Sequence, residues 1–216
     1  MEGHRKIVDL RHLLAERFPQ QRTTPFAPVV TGLSLLDEAI GGGLPKGALT
    51  ELTSSNPSAG SALVISALLQ VAHRERFFVA LIDGCDSFDP QPLGNGRLRN
   101  LLWVRCMKVF DAVKAADLLL RDGNFSLVIL DLVLSAAEEL RKIPQTNWYR
   151  LQRFVEPMPT ACLVLTRRSI ISSAQVKVAL ENQWRLGDLQ RDDGLAQLKF
   201  QVHRRHGGRQ ELAETG

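Results

Sequence analysis

The stretch "SSNPSAGSA" (54–62) packs serines, an asparagine, a proline and a glycine between an apolar segment and "LVISALLQVA". A phosphate-binding loop reads G-x-x-x-x-G-K-[ST]. Its backbone N–H groups cradle phosphates, its lysine reaches the outer ones, and its hydroxyl holds magnesium. With the second glycine aligned on Gly60, the first glycine becomes Ser55, the lysine becomes Ser61 and the metal-binding hydroxyl becomes Ala62. Pro57 brings no N–H at all. One lost charged hydrogen bond costs roughly 1.5–3 kcal/mol, or about ten- to a hundredfold in affinity. A helix that begins after Gly60 keeps some attraction for an anion. The stretch therefore reads as a weakened nucleotide site or as a strand–turn–helix junction with no ligand.

No other constellation suggests catalysis. His203 and His206 sit in "QVHRRHGGR", where Arg204 and Arg205 would repel a divalent ion, and no Cys/His spacing matches zinc. No order of serine, histidine and acid marks a nucleophile. No metal or cofactor is expected. The basic cluster with Arg204 and Arg205 reads as a solvated tail or a contact to nucleic acid or an acidic partner. Arg167 and Arg168 are a second candidate, since arginine pairs phosphate with two parallel bonds.

The elements that would position these residues follow from the apolar pattern. Ile7, Leu10, Leu13, Leu14 and Phe18 share one face of an N-terminal helical wheel. A polar linker, 19–24, follows it. Residues 31–52 read as a short helix, a glycine turn and a strand, and 61–70 as a buried helix. "RFFVALID", "NLLWVRC", "FSLVILDLVL" and "ACLVLT" are continuous apolar runs. Helical periodicity over 111–121 and 147–155 separates them. Two later strands are expected in "ENQWRL" (181–186) and "AQLKFQV" (196–202), paired antiparallel. Trp148 and Phe154 are assigned to the core, and Tyr149 is a candidate contact. Buried strands separated by helices imply an α/β fold with a mainly parallel central sheet. The expected organisation is 1–24 helix and linker, 25–206 core, and 207–216 frayed tail.

The chain has 216 residues, 44% hydrophobic and 23% charged, with a net charge of +4. That suits one sizeable domain with a real core. The mild basic excess permits an acidic partner without requiring one. Cys85, Cys106 and Cys162 are scattered and odd in number, so free thiols in a reducing cytoplasm are expected. Neither a signal peptide nor an apolar span of membrane length is visible.

"TGLSLLDEAIGGGLPKGALTEL", the altered loop and "VALIDGCDSFDP" together resemble the core of the bacterial recombinase RecA. The resemblance continues through "RLRNLLWVR", "AADLLLRDGNFSLVILDLVLSA" and "ACLVLTRRS", over about 31–186. "DGCDSFDP", "LLWVRC", "KAADLLLRDGN" and "RKIPQTNWYRLQRFVEP" look like those of the smaller RecA-like group that includes ImuA, a component of the bacterial mutagenesis cassette. The resemblance implies a RecA-like core with a P-loop-type junction. It places the catalytic glutamate at Cys85, which cannot act as a carboxylate base, and the Walker-B aspartate at Asp131. Alternatively Asp131 is a strand-end residue that bonds a backbone turn. It implies DNA loops at 134–146 and 167–175, both short here, hence weak single-stranded DNA binding. The N-terminal stripe would dock on RecA or on a second copy of the chain, or fold back on its own core.

The function implied by resemblance is non-catalytic. It is protein–protein interaction in the SOS DNA-damage response and translesion mutagenesis, with RecA, an ImuB-like Y-family polymerase homologue and an error-prone replicative-type polymerase. Two alternatives come from other classes. One is a cell-division inhibitor like SulA, directed at the tubulin-like division protein. The other is a DNA-dependent ATPase whose missing lysine is supplied elsewhere, by Lys46 or Lys108.

Overall fold

The structure, a computed structural model, describes residues 26–56, 59–182 and 198–205. The N-terminal stripe from Ile7 to Phe18, the loop residues Pro57 and Ser58, the segment 183–197 and the C-terminal tail lie outside the described residues.

The apolar runs form the strands β1 (Ala48–Ser54), β2 (Val79–Asp83), β3 (Leu101–Arg105), β4 (Leu127–Asp131) and β5 (Ala161–Thr166). They pair in parallel in the order β3-β2-β4-β5-β1. Then β6 (Val176–Leu180) adds parallel to β1, and β7 (Phe200–Arg205) closes that edge antiparallel to β6. The expected antiparallel pair is 181–186 with 196–202; the described antiparallel pair is β6 with β7, and β6 is not among the expected strands. It lies earlier, at Val176–Leu180, and Glu181 and Asn182 are outside it. The rest of "ENQWRL" is outside the described residues.

Both faces of the parallel strands are covered, which is why their sequences are continuous apolar runs rather than alternating ones. Leu52, Leu81, Ile129 and Leu163 point to one face. There they meet α1 (Ser34–Ile40) and α2 (Ser61–Glu75) through Leu36, Val64 and Leu68. Leu49, Ile82, Leu130 and Val164 point to the other. There they meet α4 (Val109–Asp122) and α6 (Gln145–Val155) through Val113, Ala116, Trp148 and Leu151. The assignment of Trp148 to the core holds, since it is fully buried. Two short helices, α3 (Gly94–Arg97) and α5 (Ala137–Arg141), sit in the connections after β2 and β4.

The described part is thus an α/β sheet of seven strands, mainly parallel and flanked by helices. Among the described residues no helix is long and apolar enough to cross a membrane.

Candidate functional site

In a parallel sheet of this kind, ligands bind outside the carboxyl ends of the strands. A cavity of about 350 Å³ occupies that position. Three segments build it: the start of α2 after β1, the loop after β2, and the turn after β4.

From the first segment come Ser61, Ala62, Ile65 and Ser66. Gly60 caps α2 at φ 103°, a left-handed backbone that favours glycine, and its carbonyl accepts from the N–H groups of Leu63 at 3.0 Å and Val64 at 3.2 Å. Ser54 Oγ donates to the carbonyl of Asn56 at 2.6 Å. Ser54, at the end of β1, thereby orders its own turn.

The second segment is shaped by Asp83, the fully buried last residue of β2. Its Oδ1 accepts from the N–H of Ser87 at 3.0 Å and of Cys85 at 3.3 Å, and its Oδ2 from the N–H of Phe88 at 2.8 Å. One carboxylate thus satisfies three backbone donors and fixes where the loop runs. Phe88 packs edge-on against Trp103, with ring centroids 5.4 Å apart, and with Asp89 it lines the cavity. Gly84 lets this loop approach the end of β4. A Cβ there would lie 2.7 Å from Leu132 Cδ2 and 2.8 Å from the carbonyl oxygen of Asp131.

The third segment contributes Asp131, Val133 and Leu134. Asp131 Oδ1 accepts from the N–H of Val133 at 3.0 Å, which is the turn-bonding role considered for it. Burial pushes its carboxyl up to about 6, and the nearby Asp83 charge adds to that.

Three of the six expected nucleotide-site positions, Ser61, Ala62 and Asp131, therefore share one cavity. Ser55, Gly60 and Cys85 do not line it. Cys85 instead lies with its Sγ 3.4 Å from Ser135 Oγ, and the adjacent Asp86 is ion-paired with Arg105 on the outer side of the loop. That hydrogen bond holds the Asp86 carboxyl below its usual value.

The chemical balance of the cavity is plain. Two carboxylates, Asp89 and Asp131, and the hydroxyls of Ser61, Ser66 and Ser87 line it among apolar walls. No lysine or arginine does so among the described residues, and neither Lys46 nor Lys108 does. Triphosphate entering here would meet negative charge without a fixed counter-charge.

The candidate DNA loops are tied down. The first contains α5. In the second, Arg167 donates from Nε to the carbonyl of Val133 at 3.0 Å, which ties this loop to the turn after β4, and both Arg167 and Arg168 are exposed. The anchor is Glu51, in the middle of β1 and fully buried. Its Oε1 accepts from the N–H groups of Ile170 at 2.6 Å and Ile171 at 3.0 Å. Its Oε2 accepts from Ser169 Oγ at 2.8 Å and pairs with Lys177 Nζ at 3.2 Å. The backbone of Arg204 and Arg205 ends β7, and their side chains lie outside the description.

Glu51, Asp83 and Asp89 escaped the sequence reading. The signal for Glu51 was available: an acid inside a strand buried on both faces needs partners.

No family model matches the chain. Over 121 residues it is 32% identical to the protein RecA of Clavibacter michiganensis subsp. michiganensis (strain NCPPB 382), a stretch that makes up 54% of this chain and 33% of that protein. This chain is similar to RecA. The match spans about one third of the length of that RecA. The RecA-like relationship agrees with the mainly parallel sheet and with a cavity at its carboxyl ends.

Proposed function

We propose that this chain is a non-catalytic RecA-like protein that works through protein contacts in the DNA-damage response and translesion mutagenesis. The observation that supports this most is the cavity at the RecA-like nucleotide position, which has two carboxylates and no cation among its described lining residues. The loss of lysine at Ser61, of hydroxyl at Ala62 and of carboxylate at Cys85 points the same way. "RKIPQTNWYRLQRFVEP", similar to ImuA-like proteins, favours the mutagenesis role. The partners in this reading are RecA, an ImuB-like polymerase homologue and an error-prone replicative-type polymerase, and the setting is the cytoplasm.

RecA-type filaments join subunits through a leading helix and through ATP held between cores. This chain keeps an apolar leading stripe and lacks the ATP-gripping residues, so it docks on RecA without propagating a filament. Full burial of one leucine contributes roughly 1.5–3 kcal/mol. The double substitution Leu10→Asp and Leu14→Asp should therefore abolish capture of purified RecA, with the circular dichroism of the core unchanged. A folded double variant that captures RecA as well as the wild type would refute docking through this stripe.

A further inference from the structure

On the face opposite α2, a groove of about 560 Å³ runs along α6, lined by Thr146, Tyr149, Arg150, Arg153 and Phe154. We propose that this groove binds single-stranded nucleic acid, with Tyr149 as a stacking face and Arg153 as a phosphate contact.

The sequence makes α6 two-sided. Trp148, Leu151 and Val155 bury one stripe against the sheet. Tyr149, Arg150 and Arg153 are left on the outside. Pro144 precedes the helix in an extended conformation that starts it cleanly.

The groove is organised from beneath by Asp117 of α4, a buried acid. Its Oδ1 lies 2.8 Å from Arg150 Nε and its Oδ2 lies 3.1 Å from Arg121. The guanidinium of Arg121 also covers the ring of Phe154 at 4.2 Å. One carboxylate therefore holds two guanidiniums at the rim, while no acid lines the groove itself among the described residues. Arg153, one turn from Arg150, has no hydrogen bond or ion pair among the described residues. Its charge is available to a ligand. Tyr149 is 52% exposed. Its Oη lies 3.3 Å from Ser172 Oγ, which donates to Gln145 Oε1 at 2.8 Å, so the ring is steadied from one end.

Guanidiniums fit phosphate, and an exposed ring fits a base. A ligand that offers both in each repeat is a single nucleic-acid strand. An acidic peptide would engage the arginines and leave the ring unused. A paired duplex presents no free base face to Tyr149. The residues differ from Arg167 and Arg168, the pair singled out by the loop positions, and the inference does not depend on whether the carboxyl-end cavity holds ATP.

The test is fluorescence anisotropy of labelled oligothymidylate with the full chain. The expected result is binding that weakens steeply with salt, exceeds that of a duplex of equal length, and drops about tenfold in Tyr149→Ala and in Arg153→Ala. Tyr149→Phe, which keeps the ring but loses the Ser172 contact, should bind more tightly than Tyr149→Ala, and Arg167→Ala with Arg168→Ala should bind as the wild type does. Thermal melts matched to the wild type exclude unfolding as the cause. Absence of binding at low salt, wild-type affinity in the two alanine variants, or loss of binding only in the Arg167 and Arg168 variants would each overturn the proposal. Polyglutamate displacing the strand as well as unlabelled oligothymidylate does would overturn it in favour of an acidic protein partner.

Discussion

The carboxyl-end cavity and the α6 groove are chemical opposites. The cavity gathers Asp89 and Asp131 with no cation in its described lining. The groove gathers Arg150 and Arg153 with no acid in its described lining. Each region also rests on a buried or half-buried aspartate, and the two aspartates are treated differently. Asp117 meets two guanidiniums. Asp131 meets one backbone N–H and the neighbouring charge of Asp83. The contrast is that the described lining of the carboxyl-end cavity carries acids without a cation, while positive charge is collected on another face.

The same chemical change should therefore have opposite signs in the two places. Asp117→Asn removes the charge that holds Arg121 and Arg150, and should lower stability by up to about 2 kcal/mol, the scale of two ion pairs to half-exposed arginines. It should also loosen the groove. Chemical denaturation of the variant checks the first effect. A variant as stable as the wild type would mean that the two half-exposed arginines contribute nothing to the fold.

Asp131→Asn should raise stability by about 2–3 kcal/mol near neutral pH. The sign follows from its carboxyl, which is raised in the folded state from 3.8 to about 6. The folded protein then binds a proton more tightly than the unfolded chain between those values, so this group's contribution to stability falls as pH rises through that window. The advantage of the asparagine variant should be full above about pH 7, shrink as pH falls through 6, and vanish near 4. Denaturation midpoints across this range read it directly. A loss of stability at neutral pH would show that the Asp131 charge is supported by something other than the Val133 N–H.

Much of this architecture was legible in the sequence. The five parallel strands were readable because burial on both faces leaves no polar alternation to confuse them. The altered loop was readable because Gly60 and its surroundings kept the strand–turn–helix grammar. The strand β6 was not legible, for a physical reason. "VKVAL" carries a lysine, which reads as solvent-facing, yet Lys177 reaches the buried Glu51 in the adjacent strand. Neither charge made sense without the other, and they lie far apart in sequence. Asp117 was hidden in the same way, since its partner Arg150 belongs to a different helix. Cys85, which the resemblance places at the catalytic glutamate position, does not line the cavity. Asp83 steers the loop so that Ser87, Phe88 and Asp89, and not Cys85, face the cavity. Charges that pair across distant segments leave no local periodicity, so they become visible only in three dimensions.

The central claim is that the carboxyl-end cavity does not run on ATP. Its most direct test is phosphate release from Mg–ATP by the purified full chain, with and without single-stranded DNA, alongside Ser61→Lys and Asp131→Ala. The account predicts no hydrolysis above background in any of them, since the lysine alone restores neither the metal hydroxyl at Ala62 nor a carboxylate at Cys85. DNA-stimulated phosphate release by the wild type that disappears in Asp131→Ala would contradict it.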